Sequence, residues 1–386
     1  MLFVQYANPA AYPPIEHATR ILADAGWSVI CLGIGGAGAA NTLELPPHRR
    51  VRVRRLPYRA PGWNQKTQYA RFVGSTLASA LALRPTWVYA SDPLACLPAL
   101  VVSGLLRVPV VYHEHDSPGT SARGPFMRIA IWARRRIGQR AEICVLPNFE
   151  RARVFKAAVG RAASVTCVPN YPRRDEIGPP RTTPWSETLR VSYHGTLVPQ
   201  RLPRAVLQAL ALLPERVRLR LVGYETIGSP GFGQQLMDEA IRLRIGGRVE
   251  VLPAASRAAL WRLSADQDVG LAFVPMQSDD VNMQYMVGAS NKATDYLAAG
   301  LALLVTDRPE WRSTYVDPGY GLSAAPDSAS SIASALQWFM EHREQTRAMG
   351  ERGRQRLLAD WNYERAFEPL LTAMSGGCAS NRNRSS

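Results

Sequence analysis

The residues with the clearest chemical purpose lie in two short stretches of the second half of the chain. In Val191-Ser-Tyr-His-Gly195-Thr196-Leu-Val-Pro-Gln-Arg201, an apolar strand pattern ends at a glycine and a basic residue closes the loop that follows. Gly195 has no Cβ, so a pyrophosphate can come close to its backbone. Arg201 offers a bidentate guanidinium to the phosphate oxygens. In Gly288-Ala-Ser290-Asn291-Lys292-Ala-Thr-Asp295-Tyr-Leu-Ala-Ala-Gly300-Leu-Ala-Leu-Leu-Val305, a polar turn runs into a short helix. Gly300 ends that helix as a C-cap, and a buried apolar strand follows. Helix N-termini present unpaired N–H groups and a positive dipole end, which suit phosphate. Ser290, Asn291 and Lys292 would face the phosphates, and Asp295, one turn in, would take the hydroxyls of a ribose. This chemistry would hold both ends of a nucleoside diphosphate.

A third stretch, Val110-Val-Tyr-His113-Glu-His115-Asp-Ser-Pro-Gly, reads as a buried strand that ends in polar residues. The C-terminal edge of a parallel sheet is where α/β proteins place their sites. His113 and His115 are two apart and share a face if the strand persists. Two other patterns are weaker. Gly33-Ile-Gly35-Gly-Ala-Gly38 fits a dinucleotide fingerprint, but Pro46-Pro47 follows where a helix is needed, and Val53, Arg54 and Arg55 stand where an acid is needed. Asp266-Gln-Asp268 looks like a metal-binding pair but sits where a strand begins, so no metal is expected. No Ser/His/Asp nucleophile arrangement can be ordered from the sequence.

The elements that must position these residues alternate between strand and helix patterns. Strands are expected at 2–6, 28–32, 51–56, 87–90, 108–112, 143–146 and 165–168, with helices at 17–25, 69–83, 94–106 and 125–139 between them. A second run has strands at 190–194, 217–222, 249–252, 269–273 and 302–306, with helices at 204–213, 233–243, 257–263, 292–299 and 330–341. Such alternation implies two doubly wound parallel sheets of the Rossmann type, facing across a ligand cleft. The expected division is 1–172, a linker at 173–189, a second domain at 190–360, a helix at 361–374 returning to the first domain, and a disordered tail at 375–386.

The sequence resembles the family 4 glycosyltransferases of group 1 type, which have the two-domain GT-B architecture. The family signature is Glu-x7-Glu, a small-residue run, Gly and an apolar strand. Asp295 onward matches its second half, whereas Val287 stands where the first Glu would be. The resemblance implies a sugar-nucleotide donor and retention of anomeric configuration. His115 aligns best with the family histidine that contacts the donor sugar, and Arg201 with a position that is usually Lys. Thr196 stands where an Arg often follows the glycine. Gly223, Tyr224 and Pro253 fall in the segments that surround the nucleobase. The acceptor side would involve Tyr12, His17 and His113, although Pro9, Pro13 and Pro14 replace the usual Gly-Gly loop.

The chain has 386 residues and a net charge of +15, with 46% hydrophobic and 20% charged residues, enough for two folded cores. The charge is uneven. Residues 1–170 hold 21 basic and 8 acidic side chains, and the remainder holds 25 and 23. A basic half suggests an anionic partner such as a lipid-phosphate acceptor or a membrane surface, with no nucleic acid expected. Arg128, Arg134, Arg135 and Arg136, interleaved with Ile129, Ile131 and Trp132, form a basic amphipathic stretch that could lie on anionic lipid. The alternative is the solvated outer face of a sheet-packed helix. Five scattered cysteines, no signal peptide and an apolar stretch broken by Pro98, Gly104, Arg107 and Pro109 point to a cytoplasmic chain, at most peripheral to a membrane. The expected activity is transfer of a sugar, of hexosyltransferase type, to a glycan or lipid-linked acceptor in cell-envelope or exopolysaccharide assembly. The rival readings are a sugar-nucleotide 2-epimerase of the same fold and a non-catalytic basic membrane- or nucleic-acid-binding module.

Overall fold

The computed structural model describes residues 1–382 except 37–40, 61, 120–123, 162, 183–185 and 227, with side chains described through 376. The chain forms two units. The first contains Met1–Asn170, Asp280–Ala289 and the segment from Tyr363 onward, and the second contains Tyr171–Asp279 and Ser290–Asn362.

The first unit is built on seven parallel strands: β1 (Leu2–Gln5), β2 (Val29–Ile34), β3 (Val51–Leu56), β4 (Val88–Ser91), β5 (Val110–His113), β6 (Ile143–Leu146) and β7 (Thr166–Cys167). Their spatial order is β3-β2-β1-β4-β5-β6-β7, so the chain reverses direction across the sheet between β1 and β4. Helices α1 (Pro13–Asp24), α2 (Trp63–Leu83), α3 (Cys96–Leu106), α4 (Pro125–Arg140) and α5 (Phe149–Val159) connect them. One face packs Leu2, Val4, Val88, Tyr112 and Leu146 against α2 to α5. The other packs Phe3, Tyr89 and Val111 against α1 and the C-terminal helix.

The second unit has six parallel strands: β8 (Leu189–Leu197), β9 (Val217–Glu225), β10 (Val249–Pro253), β11 (Val269–Ala272), β12 (Ala302–Thr306) and β13 (Gly321–Ala324). Their order is β10-β9-β8-β11-β12-β13, which puts the reversal between β8 and β11. Helices α6 (Ala205–Ala211), α7 (Phe232–Arg242) and α8 (Arg257–Ser264) precede a short turn of helix, α9 (Val281–Gln284), in the first unit. The second unit continues with α10 (Asn291–Ala298), α11 (Pro309–Trp311), α12 (Ala329–Glu341) and α13 (Arg343–Ala359), and α14 (Tyr363–Arg382) returns to the first unit. Close packing sets α10 on its sheet: a Cβ on Gly270 would stand 2.1 Å from the Tyr296 ring, and one on Gly353 of α13 would stand 2.3 Å from Leu297. Glycine at both positions lets Tyr296 lie flat on β11 and brings α13 against α10.

Several features differ from the sequence expectation, and β13, α9 and α11 were not expected at all. Residues 173–189 fall within the second unit rather than forming a separate linker, with Glu176 bonded to Arg257 and Arg181 to Asp268. Asp280–Ala289 belongs to the first unit despite its position in the second half. The C-terminal helix runs through Arg382, so 375–382 is helical rather than a tail. Finally, α5 and α13 were not expected: a buried arginine interrupts the apolar stripe of α5, and the buried face of α13 is mostly not apolar. Arg151 lies in the buried stripe of α5, and Thr346, Gly350, Gly353 and Arg354 make most of that of α13.

Candidate functional site

In the second unit, β8 ends at Gly195 with φ +110°, a conformation L side chains rarely adopt. A Cβ there would stand 2.8 Å from Lys292 Nζ, and a Cβ on its register partner Gly223 would stand 1.9 Å from Gly195 O. The two glycines thus leave a bare backbone surface with an ammonium against it. Lys292, in the first turn of α10, is buried, and its Nζ lies 5.4 Å over the Tyr193 ring. Tyr193 is held in turn by its hydroxyl, which donates to Thr196 O.

Burial pushes the Lys292 ammonium down to about 7, and repulsion from Arg201 adds to that fall against the pull of Asp295. Arg201 carries a buried Nε with no hydrogen-bond partner. Among the described residues neither cation makes an ion pair with a carboxylate. Two neighbouring positive groups without a counter-ion, beside bare glycine backbone, form a site for an anion. The α10 N-terminus contributes less than expected, because Ser290 Oγ accepts the Lys292 N–H at 3.3 Å and so occupies one of its donors.

Asp295 is present but engaged. Arg257 Nη2 contacts its Oδ1 at 3.2 Å, and Arg257 Nε donates to Glu176 at 2.7 Å. His194 Nε2 lies 3.8 Å from Asp295 Oδ2, but burial, Lys292 and Arg257 push His194 down to about 3, so this contact is not a charged pair. Burial raises the Asp295 carboxyl to about 6 against the pull of Arg257. Asp295, Arg257 and His194 line a small pocket with Leu260, Trp261 and Ser264. Arg257, Glu176 and His194 were not assigned from sequence. His194 stood beside Gly195 in the motif and was the signal available. Tyr224 presents an exposed ring and Pro253 an exposed strand end, while Glu225 caps α7 by accepting from Gly231 and Gly233. Asp266 and Asp268, the metal decoy, pair with Arg220 and Arg181.

In the first unit, β5 delivers His113, Glu114 and His115 to the sheet edge. His113 is fully buried, and its Nδ1 bonds the Tyr89 hydroxyl at 2.6 Å. His17 is equally buried, edge-on to Tyr363 at 4.9 Å. Neither side chain is exposed to an acceptor, contrary to the expectation: His113 turns to Tyr89 and to the His115 ring 3.9 Å away, and His17 turns to Tyr363 of α14. Tyr12 remains near the edge, with its ring centroid 6.1 Å from that of His115. His115 has both ring nitrogens free of hydrogen bonds, and burial, with Arg151 nearby, pushes it down to about 3. Its main chain is fixed from below: Asp92, at φ +65°, accepts the His115 and Asp116 N–H groups at 2.8 and 3.2 Å.

Glu114, between the two histidines, explains Arg134. Arg134 is 7% exposed and donates to both Glu114 oxygens, which also receive the Tyr112 and Ser117 hydroxyls. Arg134 therefore cannot serve the surface patch, a correction to the sequence reading. Arg128, Arg135 and Arg136 do lie on the exposed face of α4, with Ile129 and Trp132. Among the described residues, no group of three or more His, Cys, Asp or Glu is placed to hold a metal, and no helix is long and apolar enough to cross a membrane. In the fingerprint decoy, Gly35 and Gly36 turn around Asn41, while Ala37 and Gly38 lie outside the described residues.

Residues 14–171 match the family described as Glycosyl transferase 4-like domain, and residues 200–372 match the one described as Glycosyl transferase-like. The chain belongs to the family 4-like, group 1 glycosyltransferases. Solved structures share the GT-B fold of this glycosyltransferase over nearly its whole length. HepE of Anabaena, in complex with UDP and glucose, has a TM-score of 0.75 at 17% identity and covers 97% of this chain and 99% of its own. Sucrose-phosphate synthase from Thermosynechococcus elongatus has 0.71 at 15%, covering 100% and 98%. WaaG, a glycosyltransferase involved in lipopolysaccharide biosynthesis, has 0.63 at 14%, covering 95% and 98%. No curated protein matches the sequence. The glycosyltransferase therefore has its family from sequence and its fold from structure, and its site residues rest on their own geometry.

Proposed function

We propose that this glycosyltransferase moves a hexose from a nucleotide-diphosphate sugar to a glycan or lipid-linked acceptor, with retention and without a metal cofactor. The observation that carries the reading is the pair of unneutralised cations at Gly195: Lys292, whose ammonium burial holds near 7, and Arg201, whose Nε has no partner. A diphosphate supplies the charge this site lacks. The same cations would stabilise that diphosphate as it leaves, which is the electrostatic work a front-side displacement needs. Asp295 and Arg257 would take the ribose, Tyr224 and Pro253 would border the base, and His115 would contact the sugar. Uridine is the first candidate base, since HepE structures hold UDP and UDP-glucose.

Calorimetry against UDP, GDP and ADP tests the reading: absence of binding to all three would overturn it. With a binding nucleotide in hand, His115→Ala should slow transfer on the order of 10-fold or more while leaving nucleotide affinity near wild type.

For the acceptor, the exposed α4 face with Arg128, Arg135, Arg136 and Trp132 supports peripheral docking on anionic lipid at the cytoplasmic side of a membrane, as in cell-envelope or exopolysaccharide assembly. At about 1 kcal/mol per arginine, changing these three to Ser should weaken binding to phosphatidylglycerol vesicles on the order of 100-fold. Unchanged flotation of the triple variant would remove this face from the proposal.

A further inference from the structure

Asp280–Ala289 joins β11 to α10 in sequence yet packs in the first unit, and Arg151 of α5 accounts for much of that attachment. Arg151 is 2% exposed, and its guanidinium donates to three main-chain carbonyls. Nε reaches Tyr285 O at 2.9 Å, Nη2 reaches Asn282 O at 2.7 Å, and Nη1 reaches His115 O at 2.7 Å. Asn282 makes a second tie to the same loop. Its Oδ1 accepts the Ser117 N–H at 2.8 Å, and its Nδ2 donates to Ser117 O at 2.9 Å. Asn148, which caps α5 through Arg151 N–H, donates to Tyr285 O and Val287 O at 3.0 and 2.8 Å. Asn170 fixes the far end, with its N–H on Gly288 O and its Nδ2 on Ala289 O, both at 2.7 Å.

Burying a guanidinium is costly unless its donors are satisfied. Here the ion-pair contact with Asp116 is 3.9 Å long and that carboxylate is 70% exposed, so backbone carbonyls provide much of the compensation. A residue needed only to fill the core under α5 would be apolar. What a guanidinium adds is a planar fork that grips two separate segments at once.

We propose that Arg151 is a positioning residue for sugar transfer, joining the His115 loop to the Asp280–Ala289 strap so that both are fixed as one piece of the first unit. The strap continues at Ser290 into α10, whose first turn carries Lys292. The inference rests on the reading that His115 meets the donor sugar. A displacement of His115 of about 1 Å would cost on the order of 100-fold in rate.

Arg151→Lys keeps the charge but cannot span both segments, and Asn282→Ala removes the second tie at a partly exposed position that puts folding at less risk. Hydrogen exchange on the free protein should show peptides covering 113–118 and 280–289 loosening together in both variants, with peptides around Gly195 unchanged. UDP affinity by calorimetry should stay within about 2-fold, while UDP release from UDP-glucose loses kcat by roughly 10-fold or more with little change in KM. Loosening of the strap with 113–118 unaffected would overturn the proposal, as would joint loosening at wild-type kcat where His115→Ala is slow. If His115→Ala itself turns over at the wild-type rate, the reading of His115 fails, and joint exchange would still establish the tie.

Discussion

Lys292 makes the sharpest test of the donor site, because its charge state is poised where binding can be measured. Its ammonium stands at about 7 through burial and the repulsion of Arg201, far below the 10.5 of a free lysine. A bound diphosphate favours the charged form, so each pH unit above 7 should cost about 1.4 kcal/mol of binding as the group must first take up a proton. Between about pH 6.5 and pH 8.5 the Kd should therefore rise about 25-fold. UDP-glucose is the ligand of choice, since both its phosphates are esterified and neither titrates in this range. Calorimetry in two buffers of different ionisation enthalpy should also show uptake of close to one proton near pH 8, falling to about a quarter near pH 6.5. Lys292→Met should bind more weakly and with a flat pH dependence. Arg201→Ala should weaken binding yet move the transition to higher pH, because the repulsion that lowers Lys292 is gone. A Kd independent of pH in the wild type, with no proton uptake, would refute the placement of Lys292 against the phosphates.

Two further outcomes follow from the neighbouring charges. Arg257→Ala removes the main cation opposing the burial of Asp295, whose carboxyl already stands at about 6, so the acid limb of the same binding titration should move to higher pH; an unmoved limb would separate Asp295 from the nucleotide. Glu114→Ala leaves Arg134 buried without its carboxylate and should cost about 3–5 kcal/mol in urea denaturation at neutral pH, whereas a loss under about 1 kcal/mol would mean that Arg134 swings out to water.

How far the sequence could be read depended on whether a residue's role was local. β6 and β12 appear at the expected residues, because a buried parallel strand announces itself as a short apolar run. Gly195 and Lys292 were legible for a similar reason: strand, glycine, loop and helix start lie within one motif each, and the sheet order brings the two motifs together. Arg257 and Glu176 were not, since a side chain that reaches Asp295 from another element leaves no mark in local spacing. Arg134 was misread because helix phase alone does not show that Glu114, from a different strand, will draw one arginine of a basic run inward. His17 shows the converse, a polar residue whose place in the α1 stripe is core packing against Tyr363.

The energetics of the Lys292 pair also explain why such a site can be kept. The native pKa lies below the unfolded value, so the unfolded chain binds the extra proton between about pH 7 and pH 10. Stability therefore rises with pH across that window, and the charged ammonium is a net cost to the empty protein near and below neutrality. An anion seated between Lys292 and Arg201 removes that cost at the moment of binding. The ligand consequently stabilises the protein by its affinity at the prevailing pH, and the rise in Tm given by saturating UDP-glucose should be larger at about pH 6.5 than at about pH 8.5. A nucleotide that stabilised the protein equally at both would be making its contacts elsewhere. The cost of a buried ammonium held beside a second cation is thus carried in the free enzyme and relieved by the diphosphate.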